Sequence, residues 1–325
     1  MKKIIKIITL IFSLLIIFST ACNNQTDKLT VYMPDGAPAL SMVKNIIDNG
    51  EFDYKVVGND KIEAVVTGRN PVADVCILPI NNASNLLSDK EDYYMLGVVT
   101  HGNFYFLSKE NVIVDKANAN NLIGKTIGVV QLANVPGLAL KTCLNDLKIP
   151  YVELVNGLEA DETKVNLRAI TPTEIGKDVA DIYLAPSPVA DAKAKSGLNF
   201  VGSLHGLCET GSFPQAVLVA KRQVLQRKGL AVKKLIENLN GVNTYLSGLT
   251  AKEICVAITS KHEKGLTPMY NENNLNSLTI ERANINYVSV TEVKNQINSF
   301  IQKVKNVKDS AVKIIPDSFY YGGVL

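Results

Sequence analysis

The sequence contains no tryptophan and only three histidines, and aromatic residues occupy 6% of its 325 positions. A solute therefore cannot rest on an indole ring, and few imidazoles are available for proton transfer or metal binding. Nucleophile-elbow, zinc-protease, phosphate-loop and dinucleotide-binding motifs are all missing. No Cys/His or Ser/His arrangement suits nucleophilic catalysis. We therefore expect a protein that is not an enzyme and that carries neither a cofactor nor a metal.

Cysteine is scarce as well, and its spacing forms no metal or redox motif. The five cysteines are Cys22, Cys76, Cys143, Cys208 and Cys255. They form no CxxC pair and show no zinc-type spacing with the histidines, which are His101, His205 and His262. Apolar or helical surroundings of Cys76, Cys143 and Cys255 favour buried free thiols. A disulfide stays an alternative if the chain folds in an oxidising compartment.

Neither sign of charge dominates the chain. The net charge is +3, and the first charged residues are Lys2, Lys3 and Lys6. Without these three lysines the remaining chain is neutral. A neutral chain has no electrostatic reason to bind nucleic acid, so we expect no nucleic-acid partner.

The first 22 residues form a targeting pattern. After the three lysines come an apolar run at 7–18, small residues at 19–21 and then Cys22. This order is typical of a secretory signal, and the run is shorter than the ~20 residues of a membrane-spanning helix. Small residues before a cysteine resemble the lipobox of bacterial lipoproteins, although Ser19 stands where that motif most often has leucine. The resemblance implies lipidation of Cys22, an anchor at the outer face of the cell membrane, and a tether at 23–28. An uncleaved signal anchor and ordinary secretion are the alternatives.

Beyond this segment, short apolar runs alternate with helical patterns, which predicts an α/β fold with helices on both faces of a parallel or mixed sheet. Two extended stretches, 95–107 and 213–221, are predicted to cross between two lobes. The other predicted strands are 29–33, 54–57, 75–78, 125–130, 151–155, 182–185 and 200–201. The predicted helices are 37–47, 61–66, 82–87, 138–147, 173–179, 189–195, 224–246, 252–260 and 290–304.

An internal similarity supports two lobes built on one plan. Residues 73–83 read ADVCILPINNA, and residues 180–190 read ADIYLAPSPVA. Both copies have Ala-Asp, a short apolar run, Pro, and then a polar residue where a helix is expected to start. A chance match over so short a segment is the alternative.

Five turns that follow predicted strands carry cap or turn residues. Ligands of open α/β sheets bind beyond the carboxyl ends of the strands, so turns from two facing lobes would meet in one cleft. Pro38 and Pro136 suit helix starts, whose free N–H groups favour an anion. Gly36 and Gly137 would let a ligand approach the backbone. The candidate binding residues are Asp35, Gly36, Ala37, Asn81, Asn82, His101, Asn103, Gln131, Asn134, Val135 and Ser187.

Each of these turns also has a purely structural interpretation. Asp35 can be a cap alone, and His101 can be a buried histidine with its hydrogen bonds satisfied. Asn81 or Asn82 can cap the helix that follows residue 79. A capped helix at every turn would then explain the pattern without any ligand.

Together with Cys22, the segments LTVYMPDGAPAL, ADVCILPINNA, GKTIGVVQ and ADIYLAPSPVA resemble type II periplasmic-binding proteins. The branch that includes nitrate, taurine, aliphatic-sulfonate and thiamine-pyrimidine binders is the most similar. The resemblance implies two lobes, each a mixed sheet with flanking helices, joined by two crossover strands as a hinge. Lobe 1 would comprise 29–105 and 218–325, and lobe 2 would comprise 106–217. Lobe 2 contains a single arginine, Arg168, and no arginine clamp for an anion is recognisable.

The function implied by this resemblance is that of an extracytoplasmic solute-binding lipoprotein of an ABC importer. Its lobes would close on a small organic solute, anionic or zwitterionic, and the closed form would dock on a permease driven by a separate ATPase. We expect a monomer. One alternative is an enzyme on the same scaffold, of the kind found in menaquinone or thiamine-pyrimidine biosynthesis. The other is a lipoprotein that senses its ligand and signals.

Overall fold

The computed structural model describes residues 28–155 and 158–323. The predicted signal, the lipidation site Cys22 and nearly all of the predicted tether therefore lie outside the described residues. Within the described ranges, every helix is too short or too polar to cross a membrane.

The strands of the described chain form two six-stranded sheets. The first sheet has the order β12-β4-β11-β3-β1-β2, and the second has the order β10-β5-β9-β6-β8-β7. The bounds in the first sheet are β1 Leu29–Pro34, β2 Phe52–Val57, β3 Val75–Pro79, β4 Tyr93–Thr100, β11 Ala216–Lys221 and β12 Ile285–Ser289. Those in the second sheet are β5 Phe104–Ser108, β6 Thr126–Val130, β7 Tyr151–Glu153, β8 Val165–Ile170, β9 Ile182–Pro186 and β10 Asn199–Ser203.

The two sheets share one arrangement. In the first, β2, β1 and β3 are parallel and β11 lies antiparallel beside β3. In the second, β8, β6 and β9 are parallel and β5 lies antiparallel beside β9. We call the first sheet with its helices lobe 1 and the second lobe 2. The predicted mixed α/β fold is confirmed.

Helices flank both sheets. Their bounds are α1 Ala37–Ser41, α2 Val43–Asp48, α3 Ile62–Val66, α4 Ile80–Leu87, α5 Val135–Asp146, α6 Val189–Lys195, α7 Leu204–Leu207, α8 Arg222–Asn240, α9 Val242–Ser247, α10 Ala251–Thr259, α11 Ser277–Arg282 and α12 Val290–Val307. Single 3-10 turns occur at Ala119–Leu122, Pro172–Glu174, Asp309–Ala311 and Asp317–Phe319.

The repeated Ala-Asp pair performs the same task in each lobe. The carboxylate of Asp74 accepts the backbone N–H of Thr30 at 3.0 Å, at the start of β1. The carboxylate of Asp181 accepts the backbone N–H of Thr126 at 2.7 Å, at the start of β6. The aspartates thus tie β3 to β1 in lobe 1 and β9 to β6 in lobe 2, which explains why the pair recurs before β3 and β9.

The lobes are connected by the two crossings and by the C-terminal helix. The chain passes from β4 to β5 after only three residues, and it returns between α7 and β11. Apolar residues of α12 recur every three or four positions and are buried, as a helix with one core-facing stripe requires. Phe300 of this helix stacks on Phe213, which stacks on Phe104 at the first crossing. This aromatic column packs α12 against the first crossing.

The prediction of a buried free thiol is wrong for Cys143. Cys143 on α5 and Cys208 after α7 form a disulfide, with their Cα atoms 4.7 Å apart. They are 65 residues apart in sequence, so their spacing could not reveal the pairing. Cys76 and Cys255 are free and buried, as predicted.

Several predicted element bounds are also corrected. The helix predicted at 37–47 breaks at Met42, because the Ser41 hydroxyl occupies the Pro38 carbonyl and the N–H of Met42 turns to Ala39. The helix predicted at 173–179 is a single 3-10 turn, since Gly176 adopts a left-handed φ of 86° that ends it. Strands β8 and β12 and helices α7 and α11 were not predicted.

Candidate functional site

A cavity of about 310 Å³ lies between the lobes, at the carboxyl ends of the parallel strands. Residues that follow β1, β2 and β3 form its lobe 1 wall, and residues that follow β6 and β9 form its lobe 2 wall. The crossings contribute Asn103, Phe104, Gln215 and Ala216. All five predicted turns therefore send residues into a single interlobe cavity.

The turn after β1 is held rigidly at the cavity. Asp35 is 7% exposed, and its carboxylate accepts the N–H groups of Gly36 and Met269, both at 2.8 Å. His262 lies behind it, with Nε2 3.6 Å from Oδ1 of Asp35. Gly36 has φ 94°, a conformation that only glycine adopts without strain. Asp35 thus fixes the turn and also faces the cavity.

Asn103 joins the two lobes at the cavity floor. Its N–H donates to Oε1 of Gln215 at 3.0 Å, and its side-chain Nδ2 donates to the carbonyl of Ser187 at 3.1 Å. The Ser187 N–H donates in turn to the Asn103 carbonyl. Oδ1 of Asn103 is buried and has no hydrogen-bond partner within the described chain. Asn103 lines the cavity, and this acceptor lacks the partner that buried polar atoms normally have.

The lobe 2 wall contains the start of α5. The helix begins after Asn134, whose carbonyl accepts the N–H of Leu138, and Pro136 occupies its first turn. Because this 12-residue helix begins at the cavity, the positive end of its dipole lies there. Gly137 does not line the cavity, contrary to the predicted ligand approach. A Cβ there would lie 1.9 Å from the Leu132 carbonyl, so close backbone packing requires this glycine.

A partly buried ion pair lies at the rim of the cavity. Ser187 donates its hydroxyl to Asp191 on α6, and Asp191 pairs with Arg282 at 2.7 Å. The Asp191 side chain is 5% exposed. Arg282 belongs to α11 of lobe 1, and its guanidinium also stacks over Phe200 of lobe 2 at 3.8 Å. Arg282 of lobe 1 thus pairs with Asp191 of lobe 2, which accepts the hydroxyl of the cavity-lining residue Ser187.

The structure places nine of the eleven candidate residues on the cavity wall. They are Asp35, Gly36, Ala37, Asn82, Asn103, Gln131, Asn134, Val135 and Ser187. Asn81 and His101 are buried outside it. Nε2 of His101 bonds the Asn286 carbonyl at 2.8 Å, and burial lowers the pKa of the imidazole. Asn81 and Asn82 do not cap α4, since that helix already begins at Ile80. That the nine lining residues contact a solute stays a prediction.

Some lining residues were missed from the sequence. Asn59, Asp60 and Glu63 follow β2, and Met269 arrives from a segment with no regular structure. The rule that ligands bind beyond strand ends applies to β2 as much as to β1, because the two are parallel neighbours. That rule would have found Asn59 and Asp60. Met269 carries no sequence signal of this kind.

Charge on the cavity wall has one sign. Among the described lining residues, Asp35, Asp60 and Glu63 carry carboxylates and none is a lysine, arginine or histidine. Oε1 of Glu63 accepts Nδ2 of Asn82 at 2.9 Å. No described group of three or more His, Cys, Asp or Glu side chains is placed to hold a metal ion. The wall therefore offers acceptors and acid groups from lobe 1, with amides and a helix start from lobe 2.

No protein-family model matches the chain, and no curated protein sequence matches it. Solved structures do match. An ABC transporter protein from Parabacteroides distasonis has a TM-score of 0.69 at 16% identity, covering 91% of this chain and 99% of that one. The periplasmic aliphatic sulphonate binding protein SsuA from Escherichia coli has a TM-score of 0.59 at 13% identity, covering 91% and 94%.

An enzyme shares the architecture too. A point mutant of DSZB, in complex with biphenyl-2-sulfinic acid, has a TM-score of 0.57 at 13% identity, covering 90% of this chain and 96% of that one. At such identities the likeness concerns the fold. The described chain has the two-lobed α/β fold of type II periplasmic-binding proteins, the fold of ABC-importer binding components.

Proposed function

We propose that the protein is an extracytoplasmic solute-binding lipoprotein of an ABC importer. The observation that carries the proposal is the interlobe cavity, which draws its wall from both lobes and from both crossings. A solute in such a cavity contacts both lobes at once only when they are closed. It therefore stabilises the closed form by its difference in affinity for the two forms.

The cavity suits a small organic molecule. Its volume lies at the lower end of the range for small-molecule pockets, about 300–1,000 Å³. Neutral polar groups from Asn82, Asn103, Gln131, Asn134 and Gln215 can orient a solute by hydrogen bonds. Of the two solute classes expected from the sequence, anionic and zwitterionic, the acid groups of lobe 1 favour the zwitterion.

The crossings support closure by a hinge. Only His101, Gly102 and Asn103 separate β4 from β5, and Gly102 adopts a φ of 76°. Changes in a few such residues suffice to move one domain against another. The closed form would then present both lobes to a permease, with a separate ATPase driving import.

The N-terminal pattern supports the location and the anchor. Lys2, Lys3 and Lys6, the apolar run and Cys22 together form the order of a lipoprotein signal. The disulfide between Cys143 and Cys208 suits an oxidising, extracytoplasmic compartment. A lipid on Cys22 would hold the lobes near the permease.

The composition of the cavity wall argues against an enzyme on this scaffold. Among the described lining residues, the one hydroxyl side chain is that of Ser187, and it donates to Asp191. These described residues include no cysteine, and no histidine or lysine that can take the Ser187 proton. Binding without turnover is the chemistry that this wall supports.

A thermal-shift screen of the full chain in mild detergent tests the proposal. The panel holds amino acids, amines, sulfonates, aromatic acids, nitrate and thiamine-pathway pyrimidines. A solute at 100 times its dissociation constant adds about 2.7 kcal/mol to the free energy of unfolding. We expect at least one strong shift, with the solute recovered unchanged.

Two neighbouring tryptophan substitutions provide the matched control. Asn134 and Ala133 are both exposed, but only Asn134 lines the cavity. Asn134→Trp should fill the cavity and remove the shift, whereas Ala133→Trp should retain it. Consumption of the solute would favour the enzyme, and an unchanged shift in Asn134→Trp would place binding outside the cavity.

A further inference from the structure

We propose that the solute carries a protonated nitrogen group, an ammonium or amidinium, that faces the lobe 1 wall of the cavity. The inference rests on the proposed function and specifies the chemical class of the solute. It is carried by three carboxylates, Asp35, Asp60 and Glu63, together with the unpartnered acceptor Oδ1 of Asn103. The three carboxylates and this amide oxygen are all hydrogen-bond acceptors, so a solute group that binds them together must carry hydrogen-bond donors.

Two of the three carboxylates of the wall, those of Asp60 and Glu63, are not neutralised by a cation of the described chain. No described cation forms an ion pair with Asp60 or Glu63. Lys61, which is adjacent to Asp60 in sequence, is paired instead with Glu263 at 2.8 Å. Closure around a solute removes water from these carboxylates, and a desolvated carboxylate without a counter-charge is costly. A cationic solute group removes that cost.

The nearby positive groups are already engaged elsewhere. Arg282 is paired with Asp191 and stacked on Phe200, so its charge is compensated at the rim. His262 lies behind Asp35 and does not line the cavity. A simple anion would therefore meet three carboxylates on one wall and no compensating side-chain charge among the described lining residues. Like-charge juxtaposition of this kind costs affinity.

The lobe 2 wall determines what else the solute can carry. The start of α5 at Val135 places the positive end of a 12-residue helix opposite the carboxylates. An acid group on the far end of the solute would meet this helix start. Both a cation and a zwitterion therefore fit the cavity, and they share the protonated nitrogen.

Matched probe pairs test the inference on the full chain in mild detergent. Benzamidine is compared with benzoate, 3-aminopropanesulfonate with propanesulfonate, and 1,5-diaminopentane with hexanoate, by isothermal titration and thermal shift. The nitrogen-bearing member of at least one pair should bind about tenfold or more tightly than its partner, as close charge complementarity predicts. Binding of 3-aminopropanesulfonate indicates a zwitterion, and binding of the diamine or amidine indicates a cation.

The carboxylates are tested by Asp60→Asn combined with Glu63→Gln. Both side chains belong to exposed residues, so the fold should tolerate the change. The variant should bind the nitrogen-bearing probe about tenfold more weakly. Glu91→Gln, an exposed carboxylate outside the cavity, should leave the affinity unchanged.

The outcomes separate this inference from the proposed function. If benzoate, propanesulfonate or hexanoate binds as tightly as its partner and the double variant does not weaken the amine, the protein is a binding protein but the inference is wrong. If no probe binds and the wider panel also gives no shift, the proposed function fails as well. Selective binding that the double variant abolishes establishes both.

Discussion

The two lobes share an arrangement of four strands, β11-β3-β1-β2 in lobe 1 and β5-β9-β6-β8 in lobe 2, but they present different side chains to the cavity. Lobe 1 ends its strands in Asp35, Asp60 and the nearby Glu63, whereas lobe 2 ends its strands in Gln131 and Ser187. Asp74 and Asp181 hold equivalent strands in the same way. The duplicated sheet therefore fixes where the loops emerge, and the residues within each loop decide what the loop can bind.

The lobes also differ in how they are stabilised. Lobe 2 contains the disulfide Cys143–Cys208, whereas lobe 1 contains the buried thiols of Cys76 and Cys255. Burial raises the pKa of both thiols, so they resist oxidation and exchange. Lobe 2 should therefore depend on redox conditions, and lobe 1 should not.

Removing the disulfide should give the largest effect. Replacing Cys143 and Cys208 together by alanine should lower the free energy of unfolding of lobe 2 by about 2–4 kcal/mol, because the unfolded loop is no longer closed. Urea unfolding with and without reductant measures this loss of stability. Reductant should destabilise the wild type and leave the double variant unchanged.

Cys76→Ala in lobe 1 is the matched control. It removes a buried thiol and should cost about 1 kcal/mol through the small void that remains. Its sensitivity to reductant should equal that of the wild type. If reductant left wild-type stability unchanged, the contrast between the lobes would not hold.

The alternating pattern of the sequence predicted most of the sheets because their central strands are continuous apolar runs. Strand β8 escaped prediction because Asn166 and Arg168 interrupt its apolar residues. Asn166 is nonetheless buried, and its side chain bonds Asp161 in the preceding turn. Helix α11 lies in an asparagine-rich stretch that resembles a loop. Asn276 caps it, so the polar residues there serve local hydrogen bonds.

The candidate site was predictable where it follows from strand ends and unpredictable where it depends on tertiary contacts. The turns after β1, β3, β6 and β9 were all identified in this way. Met269 reaches the cavity because Asp35 accepts its N–H across 234 residues of sequence. Arg282 reaches Asp191 across 91 residues. No local pattern contains such pairings.

The contact of Arg282 with Asp191 should give the next largest effect. Arg282→Ala leaves a nearly buried carboxylate unpaired between the lobes. Breaking a fully buried ion pair costs about 3–5 kcal/mol of the free energy of unfolding. Because Arg282 is 22% exposed, the expected loss here is smaller, about 2 kcal/mol. Small-angle scattering of the solute-free protein should show a larger radius of gyration, since a link across the cleft has been removed.

Lys303→Met tests whether the position of the link matters. Lys303 of α12 pairs with Asp146 at the far end of α5, at 2.5 Å, and so also joins the lobes. That pair lies one helix length, about 18 Å, from the cavity end of α5. The variant should leave the radius of gyration unchanged. Equal expansion in both variants would mean that any interlobe pair limits opening.

Two histidines with lowered pKa values lie in different parts of the molecule, and their titration should give the smallest effect. His101 lies at the first crossing and bonds Asn286 of lobe 1, and His205 lies on α7 of lobe 2 beside Ser203. Burial lowers the pKa of both imidazoles below the ordinary value of 6.5. Each folded-state histidine is therefore neutral where the unfolded chain already takes up a proton. Its contribution to stability is full above pH 6.5 and declines as the pH falls through the lowered pKa.

Unfolding by urea at pH 7.5 and pH 5.0 measures this contribution. His101→Gln and His205→Gln should each reduce the loss of stability between the two pH values by about 1 kcal/mol or less. All other groups are common to the wild type and the variants, so their contributions cancel in the difference. The two reductions should add in the double variant if the lobes titrate independently. A reduction in only one variant would show that a single histidine carries the acid sensitivity. A reduction in the double variant that exceeds the sum of the two single reductions would show that protonation of His101 and protonation of His205 are coupled.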